Sequence, residues 1–532
     1  MNMENKRRQV WYPLLFSLLL IVGMFLGFKL KESVGGQDFF GTGKKNSLQE
    51  VLDLVSLKYV DKVPDSVTDE AINGLLHKLD PHSVYIPASE LDYVNDDIRG
   101  NFSGIGVEFQ IFSDTLNVLN VIQGGPSDKA GLQVGDKFIK VNDSVTIAGK
   151  KTDGDKIRKL LRGETGSMVK ITILRNDKLL PINITRGIIA VPSLDAAYMI
   201  TPVTGFIHLN KFSETTYVEF MRAMEKLKVQ HLEKLILDLR GNGGGLLNQA
   251  VNIADEFLDE NKLIVYTRGE HSPKYEYSCK RDGLFEQGEL VVLVDEGSAS
   301  ASEVLSGALQ DYDRATIIGR RTFGKGLVQE QFSLSNGSAL RLTVARYYTP
   351  LGRNIQKPYT DGYDKYENEV VQRFHDGEVI KGDTTIKSGP AFKTHKGRIV
   401  YGGGGITPDV YIPFDTTTMS RELMKLYTKG TLNNFVYTYY MQHKKVFSLY
   451  KKSMDLANQY KAGENEWNAL TNFALKDTID LSKTKEKEKA ELLRRIPSLI
   501  ARQIWRYEGF YEVNNTTDEF VKKALEKVNE GK

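Results

Sequence analysis

Leu290-Val-Val-Leu-Val-Asp-Glu-Gly-Ser-Ala-Ser-Ala-Ser-Glu-Val-Leu-Ser-Gly-Ala-Leu-Gln310 is an apolar strand that runs through a turn of Gly, Ser and Ala into a helix. The order repeats on both sides. Upstream, a strand at 235–239 enters the glycine-rich turn 241–245 and then a helix over 246–258. Downstream, the helix at 302–310 is followed by a strand at 315–318. Strands alternating with helices predict an α/β core with parallel strands. That core covers 188–413, interrupted by a polar, glycine-punctuated insertion at 357–404.

A serine on the turn before 302 stands forward of the sheet edge beside helix N-terminal amides, where a nucleophile and an oxyanion binder are wanted together. The same residues fit a plainer role. Ser300-Ala-Ser-Glu303 is also a capping box, in which Ser300 and Glu303 satisfy orphan N–H groups. In Gly319-Arg-Arg-Thr-Phe-Gly-Lys-Gly-Leu-Val-Gln329, Lys325 lies between two glycines with Phe323 and Leu327 nearby. Packed against other backbone it loses water, and desolvation lowers a lysine pKa toward that of a general base. On an open turn it simply points at solvent.

Two phosphate-binding readings fit the sequence incompletely. Gly319-x4-Gly324-Lys325 approaches a P-loop, but Gly326 stands where Ser or Thr holds Mg²⁺, and 327–332 reads as a strand instead of a helix. Leu235-Ile-Leu-Asp-Leu-Arg-Gly-Asn-Gly-Gly-Gly-Leu246 lacks a dinucleotide fingerprint, because Leu246 takes the place of the third glycine. Its bare amides form either an anion nest or a plain left-handed turn.

Outside the core the pattern changes. Residues 99–187 read as short β-branched strands (105–111, 117–122, 137–142, 169–174) with glycine turns, a short helix near 128–130 and another over 154–161. Residues 47–98 and 414–532 carry helical apolar spacing, the latter without strand signals. The fold class is therefore a multidomain α/β plus β chain with helical segments at both ends.

At the N-terminus, 18 residues (11–28) carry no charge, with Lys6, Arg7 and Arg8 before them and Lys29 and Lys31 after. This is the lower limit for spanning a bilayer, and Trp11 and Tyr12 sit where an interfacial aromatic belt belongs. A cleaved signal peptide would have a shorter apolar core and a small-x-small site, which Ser33-Val-Gly35 matches poorly. The expectation is an uncleaved single-pass anchor in the inner (cytoplasmic) membrane. Residues 1–10 would be cytoplasmic, 29–46 a glycine-rich tether, and the catalytic part periplasmic or otherwise extracytoplasmic.

The three core stretches together resemble the carboxy-terminal processing (tail-specific) proteases, whose catalysis uses a Ser–Lys dyad. The family's S-A-S-A-S-E run stands at 298–303 and its T-F-G-K-G-x-V-Q run at 322–329. Its oxyanion-loop motif is similar to Asp-Leu-Arg-Gly-Asn-Gly-Gly-Gly at 238–245. Tyr348-Thr-Pro-Leu-Gly-Arg-Asn-Ile-Gln356, Gly405-Ile-Thr-Pro-Asp409 and Leu79-Asp-Pro-His-Ser-Val-Tyr85 resemble further family segments.

The resemblance covers about residues 45–413. It implies a crotonase-like or ClpP-like protease core with Ser300 as nucleophile, Lys325 as base and Gln329 orienting that base. The oxyanion hole would combine the amide of Ala301 with one from Gly243, Gly244 or Gly245. It also implies a PDZ domain at 99–187, where Ser103-Gly104-Ile105-Gly106-Val107 is similar to the loop that holds a chain-terminal carboxylate. Gly124 to Asp136 resembles the bacterial PDZ turn and helix.

The activity so implied is serine endopeptidase cleavage of proteins with apolar C-terminal tails, with no cofactor and no metal. The C-terminal helices would meet an adaptor protein or a second copy. Two rivals remain at this level: a tail-binding scaffold without proteolysis, and a P-loop-like nucleotide binder. Composition narrows the field further. With 71 basic against 68 acidic residues the chain has no electrostatic case for nucleic-acid binding, and one cysteine, Cys279, builds neither an intramolecular disulfide nor a cysteine-based zinc site. None of the eight histidines lies between His271 and His375, leaving His208 as a core or edge residue and a Ser–His–Asp triad without support.

Overall fold

In the computed structural model, which describes residues 16–24, 47–112, 115–143, 145–147, 154–381, 389–415 and 419–530, the 290–294 stretch becomes an inner strand of a six-stranded sheet. The order is Leu194–Met199, Thr204–Leu209, Lys234–Asp238, Glu289–Val294, Thr316–Gly319, Val410–Tyr411. The first pair is antiparallel and the others are parallel, as strand–helix alternation requires.

Side chains alternate between the two faces. Val292, Val294, Leu235 and Leu237 meet the helices Thr216–Val229, Leu247–Asp255 and Ala301–Asp311 through Phe220, Ile253, Leu305 and their neighbours. Val291, Leu293, Ile236 and Phe206 face the other way and are covered by Val521, Ala524 and Val528 of the last helix, Glu519–Glu530. The end of the segment read as a C-terminal helical domain thus lies on the six-stranded sheet.

A second sheet places the site. Ala339–Tyr348 pairs antiparallel with Leu327–Ser333, with Leu263–Arg268 and with Val84–Ile86. The register Val84↔Arg341 and Gln329↔Thr343 carries the segment 80–83 to the strand that follows Lys325. The strand at Leu327–Ser333 stands where a P-loop needs a helix, and Gly319 closes against Val294, whose carbonyl oxygen would lie 1.9 Å from an added Cβ. The nucleotide-binding alternative finds no geometry here.

Residues 107–185 form a sheet in the order Val107–Phe112, Thr115–Val121, Lys137–Val141, Met168–Arg175, Lys178–Thr185, with the amphipathic helix Gly154–Leu161 burying Ile157 and Leu161. Asn101–Gly104 and Gly187–Ala190 pair at its base. The insertion carries two helices, Tyr363–His375 and Glu378–Lys381, and the pair Ala391–Lys393 and Ile399–Tyr401.

Helices between Arg421 and Asn514 enclose their own core around Leu426, Phe435, Leu470, Leu492 and Ile496. The helix Glu486–Asn514 breaks at Trp505 and Arg506. The chain divides into the units 1–70 and 71–532, and in the first the helix Ser47–Lys58 buries none of its residues. Residues 1–10, the expected tether 29–46 and most of the expected anchor 11–28 lie outside the described residues. Positions 16–24 are helical and exposed, and no helix among the described residues is long and apolar enough to cross a membrane.

Candidate active site

Three serines compete for the nucleophile's role, and hydrogen bonding separates them. Ser298 Oγ donates to the Leu239 carbonyl at 2.8 Å and accepts from the Asp295 amide at 3.0 Å. Ser302 Oγ donates to the Asn242 carbonyl at 2.9 Å. Both are buried and tie the turn to the 238–245 loop. Ser300 sits between them, half-buried, with φ 55° and ψ −114°. Such a backbone strains any residue but glycine and marks functional turns. Its hydroxyl makes no cap bond. Only the Glu303 half of the capping box forms, with the Ser300 amide donating to Glu303 Oε2 at 2.8 Å.

Glu303 does more than cap. Its fully buried carboxyl accepts from Thr322 Oγ1 (2.5 Å), the Gly324 amide (2.7 Å), the Lys325 amide (2.8 Å) and the Ser300 amide (2.8 Å). Burial pushes its pKa up, against the pull of those four donors. One carboxylate oxygen therefore grips the backbone of Ser300 and of Lys325 together. The buried Tyr347 hydroxyl repeats the link, lying 3.1 Å from the Ser300 carbonyl and against the Lys325 carbonyl. Sequence spacing marks Glu303 only as a cap and gives Tyr347 no role, so neither residue's clamping is legible there.

Lys325 is half-buried, and its amine donates to Gln329 Oε1 at 3.1 Å. It forms no ion pair among the described residues. Desolvation, helped by the charge of Arg341, lowers its pKa. In this conformation no hydrogen bond joins the amine to Ser300 Oγ, and the two residues are linked through their backbones by Glu303 and Tyr347. Gln329 Nε2 in turn donates to the His82 carbonyl at 2.5 Å.

His82 bonds Tyr366 through its ring at 2.7 Å, and desolvation with the Lys325 charge lowers its pKa to about 3, so it is neutral at ordinary pH. Asp80 fastens this segment, accepting from the His82 and Ser83 amides and from Thr343 Oγ1.

The insertion grips the lysine loop from another side. Arg373, buried, donates to the carbonyls of Arg321 (3.0 Å), Thr322 (2.9 Å) and Phe323 (3.1 Å). The Lys357 amide donates to the next carbonyl, Gly324, at 2.9 Å. Glu369 binds Arg373, Arg321 and Lys357. Although burial opposes ionisation, its bond to Arg373 and the surrounding cations bring its pKa down to about 2.

The glycine loop lies against the serine turn. A Cβ on Gly244, whose φ is +95°, would sit 2.6 Å from the Ala299 carbonyl oxygen and 2.9 Å from the Ala301 nitrogen, so only glycine fits. The Gly244 amide is already used by Asn242 Oδ1 at 2.9 Å. Gly243 and Gly245 are exposed, and Ala301 opens a helix, where an N–H has no intrahelical partner.

His208 is buried on the core sheet, 3.3 Å from Asp195 and 2.9 Å from the Tyr511 hydroxyl. Both are structural partners, and it takes no part in this site. Asp311 is likewise structural, paired with buried Arg353 at 2.5 Å.

The carboxylate-loop residues separate. Gly104, Ile105, Gly106 and Val107 line a cleft of about 620 Å³ with Phe109, Leu161 and Arg162. Ser103 lies off that cleft, its hydroxyl bonded to Thr165. Among the described residues no cluster suited to a metal ion occurs.

Residues 203–362 match the profile of peptidase family S41, residues 103–185 that of the PDZ domain, and residues 423–506 a family of unknown function. The carboxy-terminal-processing protease of Bartonella bacilliformis is 36% identical over 388 residues, covering 70% of this chain and 87% of its own. A probable CtpA-like serine protease of Staphylococcus epidermidis is 34% identical over 342 residues, 62% of this chain and 69% of its own. Among solved structures, the photosystem II D1 C-terminal processing protease is 27% identical, covers 69% of this chain and 87% of that one, and superposes with a TM-score of 0.36.

Proposed function

The chain belongs to peptidase family S41, the carboxy-terminal-processing serine proteases, and from that premise we propose a membrane-tethered endopeptidase that captures apolar protein tails in its PDZ domain and cleaves with a Ser300–Lys325 dyad. The observation that carries the reading is the Glu303 carboxylate, which holds the Ser300 and Lys325 amides on one oxygen. The other two serines of the run are already committed to backbone.

The neutral Lys325 amine takes the Ser300 Oγ proton as Oγ attacks the scissile carbonyl. The oxyanion meets the Ala301 N–H and one exposed amide, from Gly243 or Gly245. On collapse the Lys325 ammonium returns the proton to the departing amine. The neutral Lys325 amine then takes a proton from water, the hydroxide so formed attacks the acyl carbonyl, and on collapse the C–Oγ bond breaks and the Lys325 ammonium returns the proton to Ser300 Oγ. Gln329, held by the His82 carbonyl, orients the amine. Burial lowers the Lys325 pKa, which supports its role as base.

A tail adds beside Val107–Phe112, its carboxylate at the Ile105–Gly106 turn. The uncharged stretch 11–28, with basic residues on its N-terminal side, supports an anchor that leaves the remaining chain extracytoplasmic.

Cleavage of an unstructured protein with an apolar tail, followed by mass spectrometry, tests the reading. The full chain should cleave it, Ser300→Ala and Lys325→Ala should not, and a charged or amidated tail should slow the reaction. Cleavage surviving in Ser300→Ala would remove the dyad. Tail binding without cleavage by the native chain would turn the protein into a scaffold.

A further inference from the structure

Beyond the PDZ cleft the groove does not end. Val107, Phe109 and Arg158 also line a second cleft of about 380 Å³, whose far wall is the helical domain: Asn433, Leu499, Arg502 and Tyr507. Those four continue into a third cleft of about 230 Å³, with Arg495. The three share side chains in sequence, so they form one path from the carboxylate turn, along the open edge of Val107–Phe112, to the face of the helical domain.

The path has a sign. In its second and third parts the acidic side chain is Glu108, which is paired with Arg506. Arg495 and Arg502 are half-buried and held on aromatic faces, 5.1 Å over Tyr427 and 4.5 Å over Tyr507. Arg502 also donates to the Tyr507 hydroxyl at 2.7 Å. Neither arginine has a carboxylate partner among the described residues. Arg158 pairs with Asp155, both well exposed. Guanidinium groups immobilised by stacking and left without counter-ions form a preorganised anion receptor.

The helical domain is fixed to the PDZ domain beside this path by the Tyr437 hydroxyl, which donates to the Val118 carbonyl at 3.2 Å, and by the Arg506–Glu108 pair.

A strand added antiparallel to Val107–Phe112 has its carboxylate at Ile105–Gly106, and each upstream residue advances by about 3.3 Å toward the helical domain. We propose that the helical domain is a second substrate-binding site, which takes an acidic segment of the substrate polypeptide lying just upstream of its apolar tail. The proposal rests on the tail-capture reading above and extends it to residues 423–506, for which the family match gives no function.

The test is direct binding to the full chain carrying Ser300→Ala, by fluorescence anisotropy. The probes are labelled peptides that share one apolar tail and differ upstream in a run of glutamate, of glutamine or of lysine. The glutamate peptide should bind about tenfold tighter than the glutamine peptide, and the lysine peptide weaker than either. In Arg495→Gln/Arg502→Gln the glutamate advantage should fall below about twofold while the glutamine peptide keeps its affinity. Arg158→Gln, on the PDZ side, should reduce the advantage independently of any damage to the helical domain.

Equal affinities for the three peptides, or an unchanged ranking in the double variant, would overturn the proposal. A glutamate peptide with an amidated C-terminus separates the two readings. Loss of its binding supports tail capture. Retained binding that disappears in the double variant would keep the acidic-segment site and strike out the tail capture beneath it.

Discussion

Ser300 is held by its own turn and by the neighbouring strand loop, through Ser298, Ser302, Glu303 and the 238–245 glycines. Lys325 is held largely from a distance. Segment 80–83 reaches its Gln329 partner from more than two hundred residues upstream, and the inserted helix Tyr363–His375 ties down the carbonyls of its loop. The proposed nucleophile belongs to the sheet, and the proposed base belongs to what has been packed onto it. A serine needs only a strained turn and adjacent amides, which one strand–turn–helix supplies. A lysine base needs a dry pocket, and drying a charged side chain takes surface from several segments.

The largest effects should show no difference between the halves. Ser300→Ala and Lys325→Ala should each lower kcat by about 10⁴-fold or more, and the double variant should be no worse than either alone, because in the proposed dyad the two groups act as one unit. Single-turnover cleavage assays check this. Additive losses would mean that the amine does not serve the serine.

The pH profile isolates the lysine side. The Lys325 pKa is lowered by desolvation and then by Arg341, and the proposed dyad needs the neutral amine. The value of kcat/KM should therefore rise with pH and level off above that lowered pKa. His82, with its pKa near 3, does not titrate in this range. Arg341→Gln removes a positive neighbour, favours the ammonium and should move the limb to higher pH by up to about one unit. A limb that stays in place would assign the titration to another group.

Arg373→Met tests whether the insertion matters to the base. It strips partners from three consecutive carbonyls and leaves Glu369 with one cation fewer. The expectation is a fall in kcat of about 10²-fold from a misplaced Lys325 loop, with KM little changed. Arg373→Lys should recover part of it. Equal losses of kcat in a variant of the serine half, with none here, would reverse the comparison.

This asymmetry also explains what could be read from the sequence. The strand before Ser300, its helix and the glycine loop are local patterns, and the observed elements, Glu289–Val294 and Ala301–Asp311, fall within a residue of expectation at each end. The clamp by Glu303 and Tyr347 depends on two sheets meeting, and no local spacing encodes it. The insertion reads as polar and glycine-punctuated, and Arg373 and Glu369 contribute to that polarity. Buried in a mutual network, those charges do structural work that composition counts as solvent-facing. The last helix reads with the other C-terminal helices for a similar reason: Val521, Ala524 and Val528 make an apolar face whose spacing does not say which sheet it covers.

The smallest effect sharpens the comparison from the serine side. Ser302 Oγ donates to the Asn242 carbonyl, which also accepts the Ala299 amide at 3.0 Å. In Ser302→Ala that carbonyl keeps a partner, so no buried group is orphaned and the cost is that of one hydrogen bond, about 1 kcal/mol. The turn stays pinned by the Ser298 bonds and by Glu303. Denaturant unfolding should register the loss, while kcat and its pH limb remain within about twofold of the parent. If catalysis falls with stability, then Ser300 depends on each flanking bond, and the turn is less self-sufficient than the loop that holds Lys325.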